Sequence, residues 1–493
     1  MGKRKRYIAL DFGVTGGTAT AGSFDGGVMA LERLHSFPVQ STDMLGTRYW
    51  DFPGLVINAK RGLRACAARH GSELSGVACS SFPLDFGLLD KDGRLLANPV
   101  HFLDKRTVGL MDRLHAIIPE RSLYQKTGTG ARRSNTLYQL FSMALANSPL
   151  LDKSVAMLLI ADLASYFLSG TPVQEYTLAT TTGMYDAESG DWSRDVILSS
   201  KIPPVMTPDI IAPGTVIGPL VDSVAAECGL GMLPVIAPAS HNTAGSVAAA
   251  PCGGGDEWAY VVTGGYNQIG IEVPAPVMND GGFAAGLTNE GGVDGSFRFA
   301  KNTVGTVILE RIAGAWSEKD GQEIGTAKLL SLASGAEPFS RIVNPDDPDL
   351  CAAENIVEAI DAALERSGQP RATTRGEVVR ACVDGIALSI RHALGQLANV
   401  ANRKFKVVHL LGPMSESPFF CRLLADSVGI PVKAGPAESN ALGNILMQAM
   451  ALGDIGSLSE AREIVAGSFP PAEFQPAGPD AGNDAYRRFS RMA

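Results

Sequence analysis

Two stretches about half a chain apart repeat one pattern, and that repetition limits what the chain can fold into. Tyr7-Ile8-Ala9-Leu10 is apolar and β-prone, Asp11-Phe12-Gly13-Val14-Thr15-Gly16-Gly17 turns, and residues 18–24 run back out to a second turn at Asp25-Gly26-Gly27. Near mid-chain, residues 258–262 read as a strand, Thr263-Gly264-Gly265 as its turn and 266–273 as the return. Chance is the plain alternative, because 55 glycines offer many turns. The economical reading is a fold present twice, with one such loop at the head of each half.

Helical and strand-like patterns alternate around the hairpins, which predicts an α/β protein. Residues 135–145 and 158–168 read as helices, and 76–80 and 233–237 as short buried strands. The stretch 377–397 carries Val379, Cys382, Val383, Ile386, Ile390, Leu394 and Leu397, the spacing of a helix with one buried face. A strand at 405–411, a loop at 412–418 and helices at 419–428 and 441–452 follow, the last entered through the turn at Gly435-Pro436. Residues 469–484, rich in Pro, Ala and Gly, read as an irregular tail. The flexible run Pro251-Cys252-Gly253-Gly254-Gly255 marks a boundary, giving domains at 1–250 and 251–460 and a tail at 461–493.

Composition removes several classes. Hydrophobic residues are 45% and the net charge is −9, so the chain can build a core and lacks the basic excess of a general nucleic-acid binder. The cysteines are Cys66, Cys79, Cys228, Cys252, Cys351, Cys382 and Cys421, an odd number with no CxxC spacing. That argues against a disulfide scaffold or zinc site and for a reducing, cytoplasmic setting. The basic start at Lys3–Arg6 precedes an apolar run too short for a signal peptide, and the run 155–160 is stopped by Asp162 well short of a membrane span.

Glycine in a strand-turn-strand lets backbone N–H groups approach a phosphate. Asp11, at the end of the first strand, is placed to hold Mg²⁺ through water. An ordinary turn explains one such loop as well. Two at matching places point to a nucleotide gripped from both sides of a cleft. Neither loop fits GxxxxGK[ST] or GxGxxG followed by a helix.

From Ile8 to about Gly453 the residues resemble the FGGY carbohydrate kinases, most closely the rhamnulokinase branch. The resemblance is carried by Asp11-Phe12-Gly13, Leu84-Asp85-Phe86-Gly87-Leu88-Leu89-Asp90, Asn98-Pro99 and Asp104-Lys105-Arg106. It continues through Tyr124, Thr127-Gly128, Asn135-Thr136-Leu137-Tyr138-Gln139-Leu140, Glu175-Tyr176-Thr177, Ala179-Thr180-Thr181 and Pro213-Gly214-Thr215. Thr288-Asn289-Glu290-Gly291, Lys301-Asn302, Ala434-Gly435-Pro436 and Ala441-Leu442-Gly443-Asn444 complete it. It implies two ribonuclease-H-like domains of the actin and hexokinase type with an interdomain cleft. It also implies transfer of the γ-phosphate of ATP, with Mg²⁺, to a hydroxyl of a ketose or deoxy-ketose. By position, Asp11 would handle the metal, and Thr15, Gly16 and Gly17 would meet the phosphates. Gly264, Gly265, Asn302, Glu310 and Gly412 would meet nucleotide from the second half, and Pro83, Asp85, His241 and Thr243 the sugar. The partners implied are the sugar and ATP, with a homodimer left open and neither nucleic acid nor membrane.

The departures fall inside these motifs. Where the family carries its catalytic Asp, this chain reads Ser240-His241-Asn242-Thr243-Ala244, with Asn242 in the place of the base. An amide cannot accept the substrate proton at neutral pH. Thr18 follows Gly17 where the branch has Arg, Ser80-Ser81-Phe82-Pro83 replaces Asp-Thr-Trp-Gly, and Gly412-Pro413-Met414 replaces a run of glycines. Two functions therefore stand: an ATP-dependent sugar kinase of altered specificity, or a degenerate kinase that binds sugar or nucleotide with little turnover.

Overall fold

The computed structural model describes residues 5–25 and 27–492. Lys3 and Arg4 of the basic start, and Gly26 of the second turn, lie outside them. The chain divides into two compact units. The first is Met1–Ala249, Glu272–Phe299 and Ser439–Ser468; the second is Ala250–Ile271, Ala300–Glu438 and Phe469–Ala493.

The first unit is built on the strands β1 (Arg6–Phe12), β2 (Gly16–Asp25), β3 (Val28–Pro38), β4 (Leu74–Ser81), β5 (Thr215–Pro219) and β6 (Pro234–Ala237). Their order is β5-β6-β4-β1-β2-β3. β1, β2 and β3 form an antiparallel meander, β4 joins β1 in parallel, β6 joins β4 in parallel and β5 closes antiparallel. Tyr7, Ile8, Ala9 and Leu10 are all buried, as expected for a strand covered on both faces. One cover is the helix Phe52–His70, started by Asp51, whose carboxylate accepts from Gly54 N, and ended by Arg69 and His70 in its last turn. It comes so close that a Cβ on Gly62 would lie 2.4 Å from Ala19 Cβ. The helix Ser439–Ala451 covers the other face, where a Cβ on Gly22 would strike the Ile445 side chain. Ala19 and Gly22 differ by an odd number along β2, so they point to opposite faces.

The second unit repeats these relations. Its sheet is built on β7 (Trp258–Val262), β8 (Tyr266–Val273), β9 (Phe297–Val304), β10 (Val407–Leu411), β11 (Val432–Ala434) and β12 (Ala472–Phe474), with residues 272–273 of β8 and 297–299 of β9, Arg298 among them, counted in the first unit. The sheet has seven strands, with Thr288–Gly291 at the edge followed by β9-β8-β7-β10-β11-β12. β7 pairs antiparallel with β8 and parallel with β10, β11 continues in parallel and β12 closes antiparallel. The expected duplication is present in the order of these six strands and in the directions of β7, β8, β10, β11 and β12. The long helix Arg375–Ala401 carries a full capping box between Thr374 and Glu377, and all seven apolar positions named from its periodicity are buried.

The reading of 469–484 as an irregular tail is corrected. Ala472–Phe474 pairs with β11, and Pro479–Phe489 is a helix with Pro in its first turn. Ala485 and Phe489, one helical turn apart, are both buried. Proline favours the first turn of a helix, so its presence marked a start rather than a break. Smaller shifts occur at 158–168, where the strand Ala156–Leu159 precedes a helix at Ile160–Ser169, and at 412–418, which holds the 3₁₀ turn Pro413–Glu416. Among the described residues no helix is long and apolar enough to cross a membrane.

Candidate active site

Parallel strands end together, and their carboxyl ends collect side chains from distant parts of the chain. In the first unit Asp11, one residue before the end of β1, is in register with Ser80 on β4, and the Ser80 hydroxyl lies 3.3 Å from Asp11 Oδ1. One residue further, Ser81 N donates to the Ser240 carbonyl at 2.9 Å, and Ser81 bridges to His241 in parallel. The row thus runs from Asp11 through Ser80 to the turn Ser240-His241-Asn242-Thr243. Asn242 starts the helix Asn242–Ala248, with His241 as its cap residue. Asn440 Nδ2 and Asn444 Nδ2, from the helix Ser439–Ala451, reach the Ser80 hydroxyl at 3.3 and 3.4 Å. This helix meets the one carrying Asn242 backbone to backbone. A Cβ on Gly443 would lie 1.8 Å from the Gly245 carbonyl oxygen.

The main chain of the 240–243 turn is held from behind. The buried Glu175 carboxylate accepts from Ser240 N at 3.2 Å, and the Thr177 hydroxyl accepts from His241 N at 3.0 Å while donating to Glu175. Burial raises the Glu175 carboxyl to about 7 against the hydrogen bonds that favour its charge. On the side-chain face, the buried Arg298 reaches both His241 and Thr243. Burial also lowers the His241 imidazole, so the ring is neutral near pH 7.

The first glycine loop is tight and open. Gly13 N donates to the Gly16 carbonyl at 2.9 Å, and residues 14–16 are exposed. Thr15 and Gly16 are therefore accessible, with the Thr15 carbonyl accepting from Val39 N. Gly17 is different: it is buried, and a Cβ there would enter the Phe37 ring at 2.3 Å. Its lack of a side chain serves packing. Pro83 stands at the partly exposed corner after β4 and is followed by Leu84 at φ 88°, a conformation a leucine rarely adopts. The Leu84 carbonyl is held by Thr136 Oγ1 at 2.7 Å. Asp85 turns inward. Its carboxylate accepts from Trp50 Nε1 at 2.6 Å, Phe102 N at 2.9 Å and Gln139 Nε2 at 3.0 Å, and burial raises it to about 7.

In the second unit Thr263 ties together the loops that carry Gly264, Gly265 and Gly412, while Asn302 and Glu310 have other partners. The Thr263 hydroxyl donates to the Leu411 carbonyl at 2.8 Å and accepts from Met414 N at 3.2 Å, which ties the 263–265 loop to the loop opened by Gly412. Gly412 sits at φ 83°, and a Cβ there would lie 2.6 Å from the Thr263 carbonyl oxygen. Both needs exclude other residues. The carbonyls of Gly264 and Gly265 accept from Thr306 N and Gly305 N, at the entry of the helix Val307–Asp320. Glu310 lies in the first turn of that helix and accepts from the Thr306 hydroxyl at 2.9 Å. Asn302, on β9, accepts from Gln268 Nε2 at 3.2 Å.

In the sequence Glu175, Thr177 and Glu290 stand out only as motif residues, and Arg298 lies outside every motif. The available signal was an arginine inside the apolar run Phe297-Arg298-Phe299-Ala300, since a buried charge needs partners.

Comparison with known proteins adds a lineage to this geometry. The model for the FGGY family of carbohydrate kinases, N-terminal domain, matches residues 6–248, and that for its C-terminal domain matches 259–452. A rhamnulokinase of Bacteroides thetaiotaomicron is 32% identical over 486 residues, covering 99% of each chain. One of Oceanobacillus iheyensis is 30% identical, covering 94% of this chain and 96% of the other. Among solved structures, a gluconate kinase from Lactobacillus acidophilus superposes with a TM-score of 0.80 at 18% identity, covering 99% of this chain and 96% of that one. A ligand-bound xylulose kinase from the same organism gives 0.78 at 17%, with the same coverage. At that identity the likeness establishes the fold.

Proposed function

Because the chain belongs to the FGGY family of carbohydrate kinases, we propose that it transfers the γ-phosphate of MgATP to a hydroxyl of a ketose or deoxy-ketose. The observation that carries this reading is the row Asp11, Ser80 and His241-Asn242-Thr243 at the carboxyl ends of adjacent strands. The names of the curated relatives make rhamnulose the first acceptor to test.

In this reading the half at 1–250 binds the sugar and the half at 251–460 holds the nucleotide, with 461–493 as a structural tail. Pro83, His241 and Thr243 face the sugar, and Asp85 serves it by anchoring the corner that presents Pro83. Gly264, Gly265, Asn302, Glu310 and Gly412 face the nucleotide, and Thr15 and Gly16 line the phosphate loop, with Gly17 packed behind them against Phe37. Asp11 offers one carboxylate with the Ser80 hydroxyl beside it, which suits a Mg²⁺ that arrives on the nucleotide and keeps several waters. When bound, that ion offsets phosphate charge. Phosphoryl transfer depends mainly on positioning and charge, so Asn242 can orient the hydroxyl without accepting its proton. The cost of lacking the base is roughly 10²–10⁴ in rate. The odd number of cysteines and the lack of any CxxC spacing suit a reducing cytoplasm.

Asn242 also favours the second reading, a degenerate kinase that binds with little turnover. A thermal-shift screen of ketoses and nucleotides, followed by coupled detection of ADP on the hits, separates the two. ADP formed in step with a sugar phosphate supports the kinase. Binding without turnover supports the degenerate form, and no binding of sugar or nucleotide rejects both.

A further inference from the structure

One buried cation joins the two side chains that flank Asn242. Arg298 has no exposed surface and stands on β9 between two phenylalanines. Its Nε donates to the Gly291 carbonyl at 2.9 Å. Its Nη1 donates to Thr243 Oγ1 at 2.6 Å, and its Nη2 reaches His241 Nδ1 at 2.9 Å and Glu290 Oε2 at 3.1 Å.

Donor chemistry fixes what these contacts mean. A guanidinium carries donors only. His241 Nδ1 must therefore accept, which leaves the ring proton on Nε2 and the ring neutral. Nε2 lies 3.0 Å from Thr243 Oγ1. That oxygen accepts from Nη1 and takes Nε2–H on its other lone pair, so the hydroxyl hydrogen is left to donate elsewhere. The ionisable groups around the ring are few. Glu290 Oε2 is 3.3 Å from Nδ1 and offsets the charge of Arg298. Glu175 reaches the residue only through Thr177, and Tyr176 lies in the field of Arg298.

We propose that Arg298 is a positioning residue of the acceptor site, which locks His241 as the neutral Nε2–H tautomer and leaves the Thr243 hydroxyl as a pure donor toward a sugar oxygen. The ligand in this inference rests on the kinase reading above; the tautomer rests on the structure alone. A site so set matches an acceptor oxygen that offers a lone pair at that point, a carbonyl or an unprotonated face of a hydroxyl.

The test uses the full-length chain with ¹⁵N-labelled histidine, the His241 signal being assigned by its loss in His241→Gln. The native signal should show Nε2–H and stay unchanged between about pH 6 and about pH 8. Arg298→Gln removes the donor and the cation while Glu290 remains, so the ring should take up a proton in that range. The same variant should raise the sugar KM roughly tenfold with the ATP KM unchanged. Adding Glu290→Gln to it should return the ring to neutral. A native His241 that carries its proton on Nδ1, or titrates in that range, overturns the proposal even if Arg298→Gln does not fold. An unchanged sugar KM in folded Arg298→Gln overturns the positioning role. The expected tautomer with no sugar phosphorylated from the screen would sink the kinase reading and leave the locked ring standing.

Discussion

The hairpins β1–β2 and β7–β8 occupy the same place in the same sheet order, yet they end differently. β1 runs out into a carboxylate, Asp11, beside a hydroxyl at Ser80 and the turn that carries Asn242. β7 runs out into Thr263, whose hydroxyl ties its loop to the one opened by Gly412. One topology thus presents an ionisable row in the first unit and a set of glycine-bearing backbone loops in the second. The difference lies in single residues at strand ends, where side chains escape the sheet. It teaches that duplication supplies two frames and that a few end residues decide what each frame handles.

The change expected to matter most is Asn242→Asp. A carboxylate of the same size can take the proton that the amide cannot, so kcat should rise roughly 10²–10⁴ with the ATP KM unchanged. No gain on any sugar that binds would place the defect elsewhere, at Thr18, in the 80–83 strand end or at Pro413.

The helix crossing that seats Asn242 comes next. Gly443→Val would drive a side chain into the Gly245 carbonyl, backbone that cannot swing aside. Unfolding in urea should reveal a loss of roughly 1–3 kcal/mol, the usual scale for overpacking. An unchanged midpoint would mean that the two helices can part without cost.

Gly265→Val probes the second frame. The nearest atom to a new Cβ there is Val307 Cβ at 3.9 Å, so the fold should accept the substitution. Calorimetry should find ATP binding roughly tenfold weaker, about 1.4 kcal/mol, with sugar binding intact. Equal ATP affinity in the folded variant would remove the glycine loop from the nucleotide site.

A last effect, spread over a range of pH rather than tied to one substitution, is seated in the first frame. Asp85 and Glu175 are raised by burial to about 7, above the unfolded value of about 4. The folded state therefore binds more protons than the unfolded one between those values, and stability falls as pH rises through that window and levels off above it. The slope is at most about 1.4 kcal/mol per pH unit for each group. Urea unfolding should show a more stable protein near pH 5.5 than near pH 8, and Asp85→Asn should flatten part of the difference. A slope of the opposite sign would show that other groups dominate.

Much of the fold was legible because its signals are local. The hairpins announce themselves by apolar strands around glycine turns, and the helix Arg375–Ala401 by the spacing of its apolar residues. The 469–484 segment misled because its strand exists only through pairing with β11, some forty residues earlier. Among site residues, Asp11 and the exposed Thr15 and Gly16 were readable as a strand end and an open turn. Gly17 resembled them in sequence but answers to the Phe37 ring. The resemblance puts Asp85 at the sugar, and its three internal donors became visible only in three dimensions.

The sequence by itself determined the α/β class, the doubling of the hairpin, the carboxylate at the end of β1 and the amide at 242. These follow from dihedral preference, periodicity and residue chemistry, which act between near neighbours. Tertiary structure alone decided that Arg298 meets His241 from 57 residues away, that Glu175 holds the Ser240 main chain, and that Gly443 crosses Gly245. Such pairings are set when the core closes and each buried polar group must find a partner or bear the loss of water. No local pattern encodes which partner that will be.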